Sequence, residues 1–183
     1  VRDYRPGGGS AGGDEEGGSA ILGGVNPRPG DQTRDANFAA AVLNHLAHAG
    51  QDYTDVLGRN QKGPDKSKPV FIHCGFEFPH TPVLPPAEFR ARFARLRYEI
   101  PKFTPKELAG FSPQIARAFK NEGSDHFTDV EKQQMVSDYY AYCAYGDSLV
   151  GKLVDGFIRH SETQSRPWLI LYVCGDNGWK LNE

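Results

Sequence analysis

The 183-residue chain carries 21 Lys and Arg against 23 Asp and Glu, a formal charge of -2, and this mixture lacks the basic stripe that a nucleic-acid partner normally leaves. No run of about twenty apolar residues occurs, so no membrane span is expected. Three cysteines, an odd number without short metal-type spacing, supply neither a disulfide framework nor a zinc site; Cys74, Cys143 and Cys174 are expected as small buried hydrophobes.

Residues 1–31 include Gly7-Gly8-Gly9-Ser10 and Gly12-Gly13-Asp14-Glu15-Glu16-Gly17-Gly18. So little apolar surface cannot offset the entropy of ordering the chain, and a flexible Gly-rich segment is expected there, with a folded domain over residues 32–183. The first element is a helix over residues 35–49. Asp35 is placed to cap it, Ala36, Ala39, Ala40, Val42, Leu43, Leu46 and Ala47 recur as an apolar stripe, and Gly50 is placed to stop it. A polar connector runs from there to about Lys68. Pro69-Val70-Phe71-Ile72-His73-Cys74-Gly75 then reads as a short buried strand bounded by proline and glycine, with His73 as a core side chain.

Beyond that strand lies Phe76-Glu77-Phe78-Pro79-His80-Thr81-Pro82. A short helix is expected over residues 86–96, and Pro101, Pro105 and Pro113 break the chain after it into an irregular excursion to about Asp125. Thr128-Asp129-Val130-Glu131 has the pattern of a capping box. It opens a helix of about thirty residues, in which Met135, Tyr139, Tyr142, Cys143, Leu149, Val150, Leu153, Val154 and Phe157 return at helical spacing. Gly146 and Gly151 inside it mark places where another element packs closely.

The last element is Pro167-Trp168-Leu169-Ile170-Leu171-Tyr172-Val173-Cys174, with Gly175-Asp176-Asn177-Gly178-Trp179 directly after it. An apolar run without alternation is the pattern of a strand covered on both faces, which belongs to a parallel sheet with helices above and below. The fold class is therefore α/β with a mostly parallel central sheet. Strands joined by a helical crossover are nearly always parallel, which places His80 and Asp176 on one rim. Only five residues come after Gly178, so the chain is expected to be a fragment of a larger domain.

Two groups carry candidate chemistry. Asp176 offers a carboxylate and Asn177 an amide oxygen, donors suited to Ca²⁺ or Mg²⁺, although Asp-Asn-Gly also makes ordinary tight turns. His80 stands between Pro79 and Pro82, which stiffen the backbone where an imidazole would meet a substrate. The competing reading is a histidine that braces its loop by bonding a backbone carbonyl. His45, His48, His126 and His160 carry no such context. No Gly-x-Ser-x-Gly elbow and no phosphate-cradling Gly-rich loop occurs, so no hydrolase nucleophile is visible.

Taken together, Phe71-Ile72-His73-Cys74-Gly75-Phe76-Glu77-Phe78-Pro79-His80-Thr81-Pro82, Tyr139-Tyr140-Ala141-Tyr142-Cys143-Ala144-Tyr145-Gly146-Asp147-Ser148-Leu149-Val150-Gly151-Lys152-Leu153 and Gly175-Asp176-Asn177-Gly178-Trp179-Lys180-Leu181 resemble three successive landmarks of the sulfatase family, in order and spacing. The branch with iduronate-2-sulfatase-like and choline-sulfatase-like enzymes is the most similar. The resemblance spans residues 69–183. It implies an alkaline-phosphatase-like α/β sandwich, a hydrolase of sulfuric esters with a small-molecule or carbohydrate sulfate as substrate, and a secreted, periplasmic or lysosomal setting.

That family attacks sulfur with a formylglycine made from a cysteine or serine in Cys/Ser-x-Pro/Ala-x-Arg, while bound Ca²⁺ neutralises sulfate oxygens. By match of position, Asp176 and Asn177 resemble two of the metal ligands, and His80 resembles the histidine that contacts the sulfate ester. The formylglycine segment, the first acidic ligand pair and a downstream lysine have no counterpart in these residues, and Asn182 stands where this branch usually has glycine. A phosphonate or phosphate monoesterase of the same superfamily, and a non-catalytic relative that binds anionic glycans, remain as alternatives.

Overall fold

The computed structural model describes residues 23–102, 104–122 and 127–175. Its elements are α1 (Arg34–Ala47), β1 (Asp52–Thr54), β2 (Asn60–Lys62), α2 (Ala87–Phe93), α3 (Pro105–Ala109), α4 (Pro113–Glu122) and α5 (Asp129–Thr163), with a single 3₁₀ turn, Gly30–Gln32, before α1. Two compact units divide the chain. One holds Arg28–Phe78 and the C-terminal part of α5 with the segment after it; the other holds Pro79–Tyr142 and residues 23–27.

In the first unit, α1 begins one residue before its expected start, and its cap is Thr33, not Asp35. Thr33 is extended (φ -71°, ψ 166°) and its Oγ1 accepts from the Ala36 amide at 3.1 Å. Asp35 therefore sits inside the helix, with its carboxylate available to another element. Gly50, at φ +73°, turns the chain after the helix and donates its amide to the Pro64 carbonyl at 2.7 Å.

The connector expected to be merely polar contains an antiparallel hairpin, in which Tyr53 pairs with Gln61. Its strands lack apolar alternation because the turn, not a buried face, holds them. The Asp55 carboxylate accepts from the amides of Leu57 and Arg59, each at 2.9 Å, from Arg59 Nε at 2.8 Å and from Gln61 Nε2 at 3.1 Å. Those donors hold the Asp55 carboxyl down at about 2, the Arg59 amide contributing most. Tyr53 stacks on His48 with ring centroids 4.6 Å apart, so His48 is a packing residue and not a plain surface one.

Helix α5 packs closely through glycine at Gly146, as its sequence suggests, and also at Gly156, which meets α1, but not at Gly151. A Cβ on Gly156 would lie 2.1 Å from Leu43 Cδ2, and one on Gly146 would lie 2.0 Å from the Phe78 ring. Gly151, by contrast, faces open space. The buried stripe of α5 runs through Met135, Asp138, Ala141, Tyr145 and Leu149. It is displaced from the apolar stripe of the sequence because it includes a carboxylate and a phenol.

The second unit is organised around the N-terminal part of α5. The capping box forms as its sequence predicts: Thr128 Oγ1 accepts from the Glu131 amide at 3.3 Å, and Glu131 Oε2 accepts from the Thr128 amide at 2.8 Å. Helix α2 docks through a bidentate ion pair, Arg90 Nε and Nη2 to Asp138 at 2.7 and 3.0 Å, with Gln134 Nε2 donating to the same carboxylate at 2.7 Å. Tyr98 stacks on Tyr140 at 5.3 Å. In the excursion, Pro105 and Pro113 start α3 and α4 instead of only breaking structure, since proline at the first helical position has no amide to waste. Residues 23–26 lie along Val83–Pro85, with Gly24 and Asn26 amides donating to the Val83 and Pro85 carbonyls at 3.2 and 3.0 Å.

Residues 69–75 and 167–175 belong to no helix or strand. Phe71 is 90 % exposed, Leu171 and Val173 84 % each. The ladder and the covering layers that would make them core strands are not among the described residues, where the hairpin is the only named sheet. The Arg166 guanidinium donates to the carbonyls of Lys66 and Lys68, so the two segments begin side by side. His73 and Cys174 are exposed where burial was expected, while Cys74 and Cys143 are half-buried. No described helix is long and apolar enough to cross a membrane.

Candidate active site

Of the three residues singled out by sequence, His80 is the one the structure describes. Asp176 and Asn177 lie outside the described residues, and so does their expected meeting with His80 on one rim. Among the described residues no group of three or more His, Cys, Asp or Glu stands close enough to hold a metal ion.

His80 is exposed, and its Nδ1 lies 2.8 Å from the Thr81 carbonyl oxygen. A carbonyl only accepts, so Nδ1 is the donor in this bond. This is the bond of a histidine that braces its own loop. It is equally the bond that fixes the tautomer and ring orientation of a catalytic imidazole. The Thr81–Pro82 peptide is cis.

The root of the His80 segment is held by a junction of three elements, all in the first unit. Asp35, 4 % exposed, accepts the Glu77 amide on Oδ1 at 3.0 Å and the Phe78 amide on Oδ2 at 3.2 Å. Arg34 adds an exposed ion pair to Glu77 at 2.8 Å. The Phe78 ring occupies the space left by Gly146 on α5, and Phe76 stacks obliquely on it at 5.2 Å. One residue before Gly146, Tyr145 is 2 % exposed and donates its hydroxyl to the Gly30 carbonyl at 2.7 Å, with Thr33 Oγ1 also in contact. The cap of α1, the side chain two residues into it and the Tyr145-Gly146 pair of α5 thus meet around Glu77-Phe78.

The electrostatics of the junction are set by burial. Desolvation pushes the Asp35 carboxyl above its ordinary value, outweighing the two amides that pull it down. Burial, and then the charge of Asp35, push the Cys74 thiol up as well. Cys74 is therefore held as a neutral thiol and is a poor nucleophile at neutral pH.

Sequence reasoning missed Asp35 and Tyr145. In Thr33-Arg34-Asp35 two residues compete for one cap, and whichever does not cap is free for tertiary bonding. That redundancy was the available signal. Tyr145 could have been found by its place four residues before Leu149 on the expected apolar stripe. No family model matches the chain, and no curated protein or solved structure does.

Proposed function

We propose that this chain is part of the catalytic domain of a sulfuric ester hydrolase, an alkaline-phosphatase-like α/β sandwich, acting on a carbohydrate sulfate. The observation that carries this reading is the ordered conjunction of Pro79-His80-Thr81-Pro82, Tyr139-Tyr140-Ala141 with Gly146-Asp147 and Val150-Gly151, and Gly175-Asp176-Asn177-Gly178 within residues 69–183. Each piece alone is common, whereas all three in this order are specific. Three structural features support it: His80 is exposed with its Nδ1 bonded to the Thr81 carbonyl, Gly146 receives the Phe78 ring at the root of the histidine segment, and the Arg166 guanidinium ties the starts of the two apolar segments together.

In the reaction, an oxygen nucleophile from outside these residues forms a bond to sulfur as the bond between sulfur and the substrate's ester oxygen breaks, and the leaving oxygen gains a proton. His80, protonated at Nε2 and oriented by its Nδ1 bond, would supply that proton. Asp176 and Asn177 are oxygen donors that suit Ca²⁺, which when bound would place positive charge beside the sulfate oxygens. The nucleophile lies outside these residues, and the free Cys74 does not replace it.

The test is carried out on the complete protein. His80→Ala should lower aryl sulfate turnover by about 10²- to 10⁴-fold, the range for one positioned acid or base, while the melting temperature barely moves, because an exposed side chain buries little area. Aryl phosphate as a parallel substrate separates a phosphate monoesterase. If the variant melts early and its folded molecules keep normal turnover, His80 is a loop brace and the reading fails.

A further inference from the structure

The two backbone amides immediately before Pro79-His80 are not bonded within their own segment. They are bonded by a side chain more than forty positions earlier, Asp35, whose two oxygens take one amide each at 3.0 and 3.2 Å. Asp35 is itself fixed: it is at the second position of α1, behind a working Thr33 cap, and 4 % exposed. Glu77 and Phe78 belong to no helix or strand, and only a single turn at Phe78-Pro79 follows, so no ladder holds their backbone. A carboxylate buried this deeply is costly unless its hydrogen bonds are made, and these two amides answer that need while losing conformational freedom. On the other side, the Phe78 ring is seated against the bare backbone of Gly146.

We infer that Asp35 is a positioning residue for His80: its carboxylate latches the Glu77-Phe78 backbone and so fixes the root from which Pro79 projects the imidazole. Proline transmits that constraint because its ring locks φ, leaving few free torsions between the latch and His80. Asp35 acts through this backbone and not on the substrate. The reading of His80 as a catalytic group rests on the proposed function, but the latch itself does not.

The test uses Asp35→Ala, Asp35→Asn and, as a control, Arg34→Ala in the complete protein, with three readouts. Hydrogen exchange over Glu77-Phe78 reads the latch. The ¹³Cε1 signal of His80 under histidine-selective labelling reads its setting. Aryl sulfate turnover, with kcat and KM separated, reads the consequence. In D35A the two amides should exchange about tenfold faster or more, the contribution of a hydrogen bond to a charged acceptor. The His80 signal should shift or split, and kcat of the folded molecules should fall by about 10- to 100-fold, as expected for a misplaced group.

D35N keeps one carbonyl acceptor, so it should recover protection at one amide and part of kcat. It also carries the test if D35A fails to fold. R34A should match wild type, since the Arg34–Glu77 pair has both side chains more than half exposed. Wild-type exchange at both amides in D35A, or equal loosening in R34A, overturns the latch. Fast exchange with an unchanged His80 signal overturns the positioning role. If the wild-type protein hydrolyses no aryl sulfate, the hydrolase reading fails, and exchange with the His80 signal still decides the inference.

Discussion

Arg90→Ala is the sharpest single test of how the second unit is held. The side chain of Asp138 is fully buried and that of Arg90 is 25 % exposed, and the pair makes two parallel bonds at 2.7 and 3.0 Å. Removing the guanidinium leaves a desolvated carboxylate without its main counter-charge, a change that costs about 3–5 kcal/mol in buried pairs. At about 2–4 °C per kcal/mol for a chain of this size, the melting point should drop by about 10 °C. The urea midpoint should fall by about 2 M if the slope is about 2 kcal/mol/M. The internal control is Lys102→Ala. Its partner Asp129 lies at 2.9 Å, but the two side chains are 75 % and 64 % exposed, so the loss should stay under about 1 kcal/mol. Replacing both members with apolar residues, Arg90→Met with Asp138→Leu, should restore most of the loss, because the penalty is the unpaired charge and not the missing bond. Both single variants and the double variant are measured by urea unfolding monitored by circular dichroism. The reasoning is refuted if R90A costs no more than K102A, or if the double variant is as unstable as R90A.

Glycine substitutions in α5 should differ in sign or size: Gly146→Ala meets the Phe78 ring at 2.0 Å and should cost about 1–3 kcal/mol, whereas Gly156→Ala meets only the tip of Leu43 and recovers about 1 kcal/mol of helix propensity. Thermal melts that rank G156A below G146A would contradict the packing. The Asp55 carboxyl, held at about 2 in the folded hairpin against an ordinary value of 3.8, should stabilise the turn at every pH above about 4 and lose that contribution as pH falls through about 2. Amide exchange at Leu57 and Arg59 measured from pH 5 to 2 checks this, and protection unchanged at pH 2 would count against it. In the complete protein Asp176→Ala should remove most Ca²⁺ affinity while Asn177→Ala weakens it less, since a carboxylate carries more of a hard-cation site's charge. Equal calorimetric titrations of wild type and D176A would end the metal assignment.

The parts of this protein that the sequence determined by itself are those whose bonds are local. Helix α5 begins where Thr128 and Glu131 satisfy each other's amides three residues apart, and α1 and α2 lie within a few residues of their expected bounds. A capping box or a helical stripe closes within one or two turns, so no distant partner is needed to select it. The hairpin was not legible because Asp55 makes it with polar bonds at its turn instead of with apolar alternation.

The remaining features depended on residues far away in the chain. Thr33 and Asp35 are both competent caps, and only the amides of Glu77 and Phe78, 42 and 43 positions on, draw Asp35 away from that role. The place of Asp138 on a buried stripe is explained by Arg90, 48 positions earlier, which no hydropathy pattern contains. The same dependence governs residues 69–75 and 167–175. Their composition is that of core strands, yet a strand exists only when a neighbour completes its ladder, and among the described residues neither segment has one. Tertiary structure decided these points because buried charge and unpaired backbone are stabilised by partners that sequence proximity does not supply.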